Sequence, residues 1–404
     1  MSHVQSMDKT LRRYDREFHQ YSVANDANIL PVDEAESERQ REWHDILKAV
    51  LQDRLRETFR SRVFSDRRIV YAPVRKLRSV LDCGYGAGAW AEDLAEDLRE
   101  LHEDVSDDNG REEMQGGQEG AQEESPNWKI CGIDVVRVPT EVRGSGSSGG
   151  SNRSSDASSQ GDPVFAQRLL WDLNRSLTEN PELFTRFQNR ASYANEPFDL
   201  VNIRCLTEGI KSDRWKVLLR ELFTLLRPDG YIQITELAFG NIQSDSGRMA
   251  DAVGLQGWID CYREGMKRLE RTEPHVGKVL GDNLNWAEFE DIESQCIQLD
   301  IGNWRSTGDA TLSSQILDVM EATLSSLGVW LACEVLQKPL EEFQEMVQRA
   351  TADLRNPDFK LYLWCYVFVA RKPDPRKRKA VDDANPSSSS KVSKLPPIPT
   401  PFPH

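Results

Sequence analysis

The sequence predicts an α/β chain organised on a doubly wound sheet, and three observations carry that expectation. Ser79–Cys83 is a short apolar run that breaks into glycines at 84, 86 and 88 and then into an amphipathic stretch, the order strand, loop, helix that opens such a fold. Two further apolar runs, Lys129–Asp134 and residues 168–173, end in or beside an acid. Strand-like and helix-like periodicities then alternate through Phe198–Arg204, residues 214–226 and residues 231–237, as crossovers between parallel strands require.

The elements follow in order. Residues 38–59 are charged but carry Trp43, Ile46, Leu47, Val50, Leu51 and Leu55 on one stripe, which predicts a helix that caps the core. At positions 84, 86 and 88 the missing Cβ lets the backbone turn sharply and approach a ligand closely. Residues 90–101 place Trp90, Leu94, Leu98 and Leu101 at spacings of three and four, a helix with one face on a sheet. Residues 214–226 repeat Trp215, Leu218, Leu219, Leu222, Phe223, Leu225 and Leu226 and stop at Pro228-Asp229-Gly230, a helix with a breaker and turn behind it. Residues 251–271 and 311–350 add amphipathic helices that either line a pocket or simply pack, the first carrying Trp258, Tyr262, Met266 and Leu269. Residues 296–304 and 360–371 read as an antiparallel strand pair closing the sheet edge.

The glycine loop alone does not choose a ligand, since Gly84, Gly86 and Ala89 also satisfy the dinucleotide pattern G-x-G-x-x-G/A. Asp82 separates the readings: a carboxylate at the strand end attracts a cationic amine or sulfonium and repels a pyrophosphate. The alternative is an Asp that caps the turn through backbone N–H groups. Asp134 ends the next strand, where a carboxylate accepts both hydroxyls of a ribose. Asp172 is placed either to accept from an exocyclic adenine amine, with Leu173 packed on the ring, or to open the turn before Asn174.

In sequence order these motifs resemble class I S-adenosylmethionine-dependent methyltransferases, and more closely the fungal LaeA-like methyltransferases, over roughly residues 14–372. The marks are Tyr21, Leu30-Pro31-Val32-Asp33-Glu34-Ala35-Glu36, residues 81–93, Gly132-Ile133-Asp134, Phe198–Arg204, Leu226-Arg227-Pro228-Asp229-Gly230-Tyr231 and Ile301-Gly302-Asn303-Trp304. The resemblance implies a Rossmann-like, seven-stranded sheet with helices on both faces, and S-adenosyl-L-methionine held at the carboxyl ends of the strands. The cofactor contacts it implies are Asp82, Gly84, Tyr85, Gly86, Gly88, Asp134, Val135, Asp172, Leu173 and Arg204. Among these, Asp82 and Gly84 fall near the methionine end, Asp134 at the ribose and Asp172 at the adenine; Arg204 and Cys205 border the methyl-transfer pocket. The chain departs from the pattern at Cys83, Tyr85 and Ala87, where relatives often carry small or hydroxylated residues, so the loop lacks Thr hydroxyls.

The organisation expected is an N-terminal helical cap over residues 1–76, a methyltransferase domain over 77–372 and a basic, Pro- and Ser-rich tail over 373–404. Insertions at about 103–127 and 140–162, rich in acids, Gly, Gln and Ser, lack the apolar surface to order themselves, and the tail is expected to be disordered as well. A sulfonium methyl is already activated, so the reaction asks mainly for an acceptor held in line and for water kept out. No catalytic residue is assigned. An oxygen or nitrogen acceptor has to lose a proton, for which His275 is a candidate against a plain surface or capping role, while Glu236 either faces the cleft or orients a loop.

A net charge of −15 argues against direct, sequence-independent grip on nucleic acid by the whole molecule. The seven cysteines form no C-x-x-C pair, so no metal is expected; with no secretory signal they fit buried thiols in a reducing compartment. Residues 361–370, the most apolar short run, are too brief to span a bilayer. The cluster Arg376, Lys377, Arg378 and Lys379 is a nuclear-import candidate, or else a solvated charge run. A nuclear location agrees with what the resemblance implies, namely action on fungal secondary metabolism or development with velvet-type partners. The alternatives are a small-molecule methyltransferase acting on a secondary metabolite, and a regulatory scaffold that keeps the fold and transfers nothing.

Overall fold

Strand β3 (Ser79–Cys83) is buried at every position, which a strand achieves only when both faces of its sheet are covered. Around it β4 (Lys129–Asp134), β5 (Gln167–Leu170), β6 (Phe198–Arg204) and β7 (Leu226–Leu237) lie parallel in the order β5-β4-β3-β6-β7. β10 (Leu361–Arg371) enters antiparallel beside β7 and carries β9 (Glu290–Asp300) on its other side, with the two-residue β8 (Gln243–Ser244) pairing its first residues. The expected edge pair is therefore present, and β8 adds an eighth, vestigial strand to the seven expected. A separate hairpin, β1 (Thr10–Arg13) and β2 (Arg16–His19), turns through Tyr14 and Asp15, both with positive φ. This computed structural model describes residues 9–58, 69–73, 77–109, 128–136, 164–183, 197–271, 276–306 and 309–377. Most of the two expected insertions, His275, Arg378 and Lys379 lie outside those residues.

Several boundaries differ from expectation for local reasons. α3 (Ala89–Asn109) continues past Leu101 into the acidic segment. β5 stops at Leu170, because Asp172 folds back to accept from the Asn174 N–H at 2.9 Å, an Asx turn that ends the strand before the expected residue 173. α4 (Arg214–Leu225) runs straight into β7, and the Pro228-Asp229-Gly230 breaker is a bulge within that strand: the register jumps from Phe198 opposite Leu226 to Leu200 opposite Tyr231. β9 starts and ends earlier than residues 296–304, since Gly302 turns the chain with φ +78° and Trp304 donates its indole N–H to the Leu361 carbonyl at 2.8 Å.

Three apolar layers result. α4 and α6 (Val276–Trp286) cover one sheet face through Trp215, Leu218, Leu222, Leu280 and Leu284. α3 and residues 69–72 cover the other through Trp90, Leu94, Ile69 and Val70. A helical block of α2 (Glu34–Thr58), α5 (Val253–Arg268), α7 (Ala310–Trp330) and α8 (Leu340–Leu354) packs on the ends of β7, β9 and β10. Trp258 and Met266 are buried in it, so α5 packs there. The segment Ala310–Val335 is long and apolar enough to cross a membrane, yet 72% of its most apolar window is buried inside the fold. α2 is fastened to α7 by the Trp43 indole N–H, which donates to the Thr323 hydroxyl at 2.9 Å. The cap helix thereby comes to rest over the carboxyl ends of β3 and β6.

Candidate functional site

The loop after β3 folds as its glycines dictate. Gly84, Gly86 and Gly88 have φ of +69°, +51° and +81°, where an L side chain is strained. A Cβ on Gly84 would reach within 2.2 Å of Leu206, and one on Gly86 within 2.4 Å of the Gln40 amide oxygen. The Gly88 N–H closes the turn on the Tyr85 carbonyl at 2.8 Å, and the Gly88 carbonyl accepts from Glu92 N–H at 3.0 Å to start α3.

Nine of the ten residues expected at the cofactor line one cavity at the strand ends; Gly88 does not, since it is spent on the turn. Tyr85 packs its ring on Phe165, with centroids 5.0 Å apart, and donates its hydroxyl to the Val136 carbonyl. Asp82 is buried: Oδ1 accepts from the Asn202 amide at 2.8 Å, while Oδ2 is buried with no hydrogen-bond partner among the described residues. Asn202 in turn accepts from Gln233 at 2.9 Å, so one polar row crosses β3, β6 and β7 in register. Burial pushes the Asp82 carboxyl up to about 7, against the pull of Asn202 and Arg204. Asp134 accepts from the N–H groups of Gly86 at 2.9 Å and Val136 at 3.1 Å, and burial raises it in spite of them. Asp172 uses Oδ1 alone for both donors of Asn174.

The cap helix supplies contacts that the sequence reading missed. Gln40 accepts from the Ala87 N–H at 2.9 Å and donates to Glu36 at 2.9 Å; Arg41 grips the Ala87 carbonyl at 3.1 Å and Glu92 at 2.8 Å. His44 accepts at Nδ1 from Arg204 and meets Asp93 with Nε2. The available signal was the spacing of four between Glu36, Gln40 and His44, beside the apolar stripe. Deeper in, Arg39 and Glu36 form a buried two-pronged pair, and Tyr262 donates to buried Glu208 at 2.6 Å. Glu236 does not line the cavity: fully buried and pushed up to about 8 by burial, it accepts from the N–H groups of Leu206 and Thr207, and so orients the loop after β6.

A parallel sheet with one reversed strand near its edge, a glycine turn at the first strand end and three acids at successive strand ends define an α/β protein with a nucleoside-type cofactor cleft. A methyltransferase-domain family model matches residues 36–269, and the chain belongs to that family. It is 22% identical over 198 residues to the protein-methionine methyltransferase laeA of Emericella nidulans, covering 48% of this chain and 52% of that protein. It is 24% identical over 179 residues to the secondary metabolism regulator laeA of Gibberella zeae, 44% of this chain and 56% of that one. Against the methyltransferase cpsF of Aspergillus campestris the figures are 26% over 187 residues, 45% and 63%. The chain thus spans about half the length of the curated relatives it matches. Among solved structures, the cyclopropane synthase MmaA2 of Mycobacterium tuberculosis overlays 79% of this chain and 83% of its own with a TM-score of 0.37 at 12% identity, too slight a likeness to bear on function.

Proposed function

We propose that the protein binds S-adenosyl-L-methionine in this cavity and transfers its methyl group, as a LaeA-like regulator of fungal secondary metabolism. One observation carries the cofactor reading: a buried carboxylate oxygen of Asp82, without a partner among the described residues of the cavity wall, is costly unless a cationic ligand meets it. The other residues fit the same group. Asp134 has lone pairs left for ribose hydroxyls, Asp172 keeps Oδ2 clear of Asn174, and the glycine turn lets Leu206 and Gln40 close on the loop at the cavity wall where a Cβ would clash. When bound, the cofactor supplies a methyl group already activated by the sulfonium.

The chain's own part is to bind, orient and exclude water. The acceptor side, with Trp43, Phe239 and Leu327, is apolar; Glu36 is engaged by Arg39, Glu208 by Tyr262 and His44 at both nitrogens, while burial pushes the Cys205 thiol up to about 12. That arrangement favours an acceptor that needs no proton removed. A thioether is such an acceptor, and the Emericella nidulans relative is named for methionine.

Calorimetric titration with S-adenosylmethionine tests the reading, with Asp134→Ala as the control. Saturable binding that weakens at least tenfold in the variant is expected; no binding by the wild type, or equal binding by both, refutes it. Labelled cofactor added to cell extract then separates a protein acceptor from a small metabolite, and no labelled product at all leaves the scaffold reading. Nuclear import through Arg376 to Lys379 is part of the proposal. Arg376 pairs with Asp374 and Lys377 with Asp229, but both cations remain mostly exposed. Unchanged nuclear signal after deletion of residues 373–404 removes that part. Velvet-type partners rest on the family resemblance, and co-purification with and without the cap residues tests them.

A further inference from the structure

His44 sits where three elements meet. Its ring is buried, with Nδ1 2.7 Å from Arg204 Nη1 and Nε2 2.8 Å from Asp93 Oδ2. A guanidinium offers donors only, so Nδ1 accepts, and the proton on Nε2 is donated to Asp93. One neutral tautomer satisfies both neighbours at once. The charged groups facing the ring are Asp93 on α3, Arg204 at the end of β6, and Asp45 on its own helix. Lys48, one turn along, also grips Asp93 at 2.6 Å. Burial lowers the His44 pKa, with Arg204 adding to it and Asp93 opposing; the donors on Asp93 hold that acid at about 2 in spite of its own burial.

Arg204 lines the cavity, and its Nε is buried without a hydrogen-bond partner among the described residues. The bond to His44 is what orients its fork. Asp93 belongs to the helix that follows the glycine turn, and His44 to the cap, so the ring ties cap, turn and cavity wall together.

We propose that His44 is a positioning residue for methyl transfer: docking of the cap helix brings its ring, aimed by Asp93, onto Arg204 and fixes the guanidinium in the cofactor cavity. This inference rests on the cavity being the S-adenosylmethionine site. Loss of the acceptor leaves Arg204 with a half-buried, misdirected fork, and a hydrogen bond to a charged group is strong enough for that to weaken binding about tenfold or more.

A double-variant cycle on the full chain at pH 8 tests it, read by calorimetry with S-adenosylmethionine. His44→Phe keeps the ring volume and is expected to weaken binding about tenfold, whereas His44→Asn, which restores an acceptor near the Nδ1 position, recovers most of it. In an Arg204→Met background, His44→Phe is expected to cost nothing further, because its effect passes through Arg204. A merely structural His44 would cost the same in both backgrounds, and that additivity overturns the proposal, as does a folded His44→Phe variant that binds like wild type. A wild-type chain that takes up no cofactor removes the underlying reading, and this proposal with it. Should the Phe variant not fold, nitrogen NMR of the wild-type ring decides: a proton on Nε2 is expected, and one on Nδ1 overturns the assignment.

Discussion

Replacing Asp82 with Asn separates what the buried acid costs the fold from what it gives the site. The carboxyl is pushed up from 3.8 to about 7 by burial, so at pH 8 the folded chain holds an ionised group that the unfolded chain carries more cheaply. At about 1.4 kcal/mol for each tenfold in acidity, the penalty is about 4 kcal/mol at pH 8, falls to about 2 at pH 5 and vanishes below about pH 3.8. The sign follows from the raised pKa: the folded state binds more protons, so this group adds stability as the pH falls. Asn keeps the bond from Asn202 but turns the orphan oxygen into an orphan N–H, at a cost of about 1–3 kcal/mol. Asp82→Asn is therefore expected to stabilise the ligand-free protein by about 1–3 kcal/mol at pH 8, and to lose about 2–3 kcal/mol of that advantage at pH 5. Urea unfolding at the two pH values measures the difference, in which other titrating groups such as His44 cancel. Adding S-adenosylmethionine should reverse the order, because ligand stabilises only the chain that binds it. A variant less stable than wild type at pH 8, or a difference that does not change with pH, refutes the reasoning.

Two other substitutions probe the scaffold behind the cavity. Gly132 lies on β4 beneath the loop, and a Cβ there would come within 2.6 Å of Tyr85 and 2.7 Å of Phe165, so Gly132→Ala should cost about 1–3 kcal/mol and weaken cofactor binding through the displaced loop; wild-type urea stability would contradict this. Arg39→Met leaves the buried Glu36 with its bond from Gln40 but no counter-charge and should cost about 3–5 kcal/mol, most of it recovered by Glu36→Leu in the same chain. Equal stability of the single and double variants would show that the pair's burial is not the source of the loss.

The sequence by itself determined the parallel core, the glycine turn and the acids at the strand ends. Those features are local: apolar period, glycine and a terminal carboxylate are written within a few residues of one another, as in Ser79–Cys83 followed by Gly84, Gly86 and Gly88. Tertiary structure alone decided which polar groups meet across the sheet and between cap and core. Asp82, Asn202 and Gln233 form one row because three strands align in register, and Gln40 and Arg41 reach the loop, and His44 reaches Arg204, because Trp43 anchors α2 against α7. Glu236 illustrates the same limit: at a strand end it reads either as facing the cleft or as orienting a loop, and only the pleat decides for the second, turning it inward to hold Leu206 and Thr207. Charged residues on a cap helix look like a solvated face until packing removes the water, since a one-dimensional pattern records spacing along a chain but not which surface another element will cover.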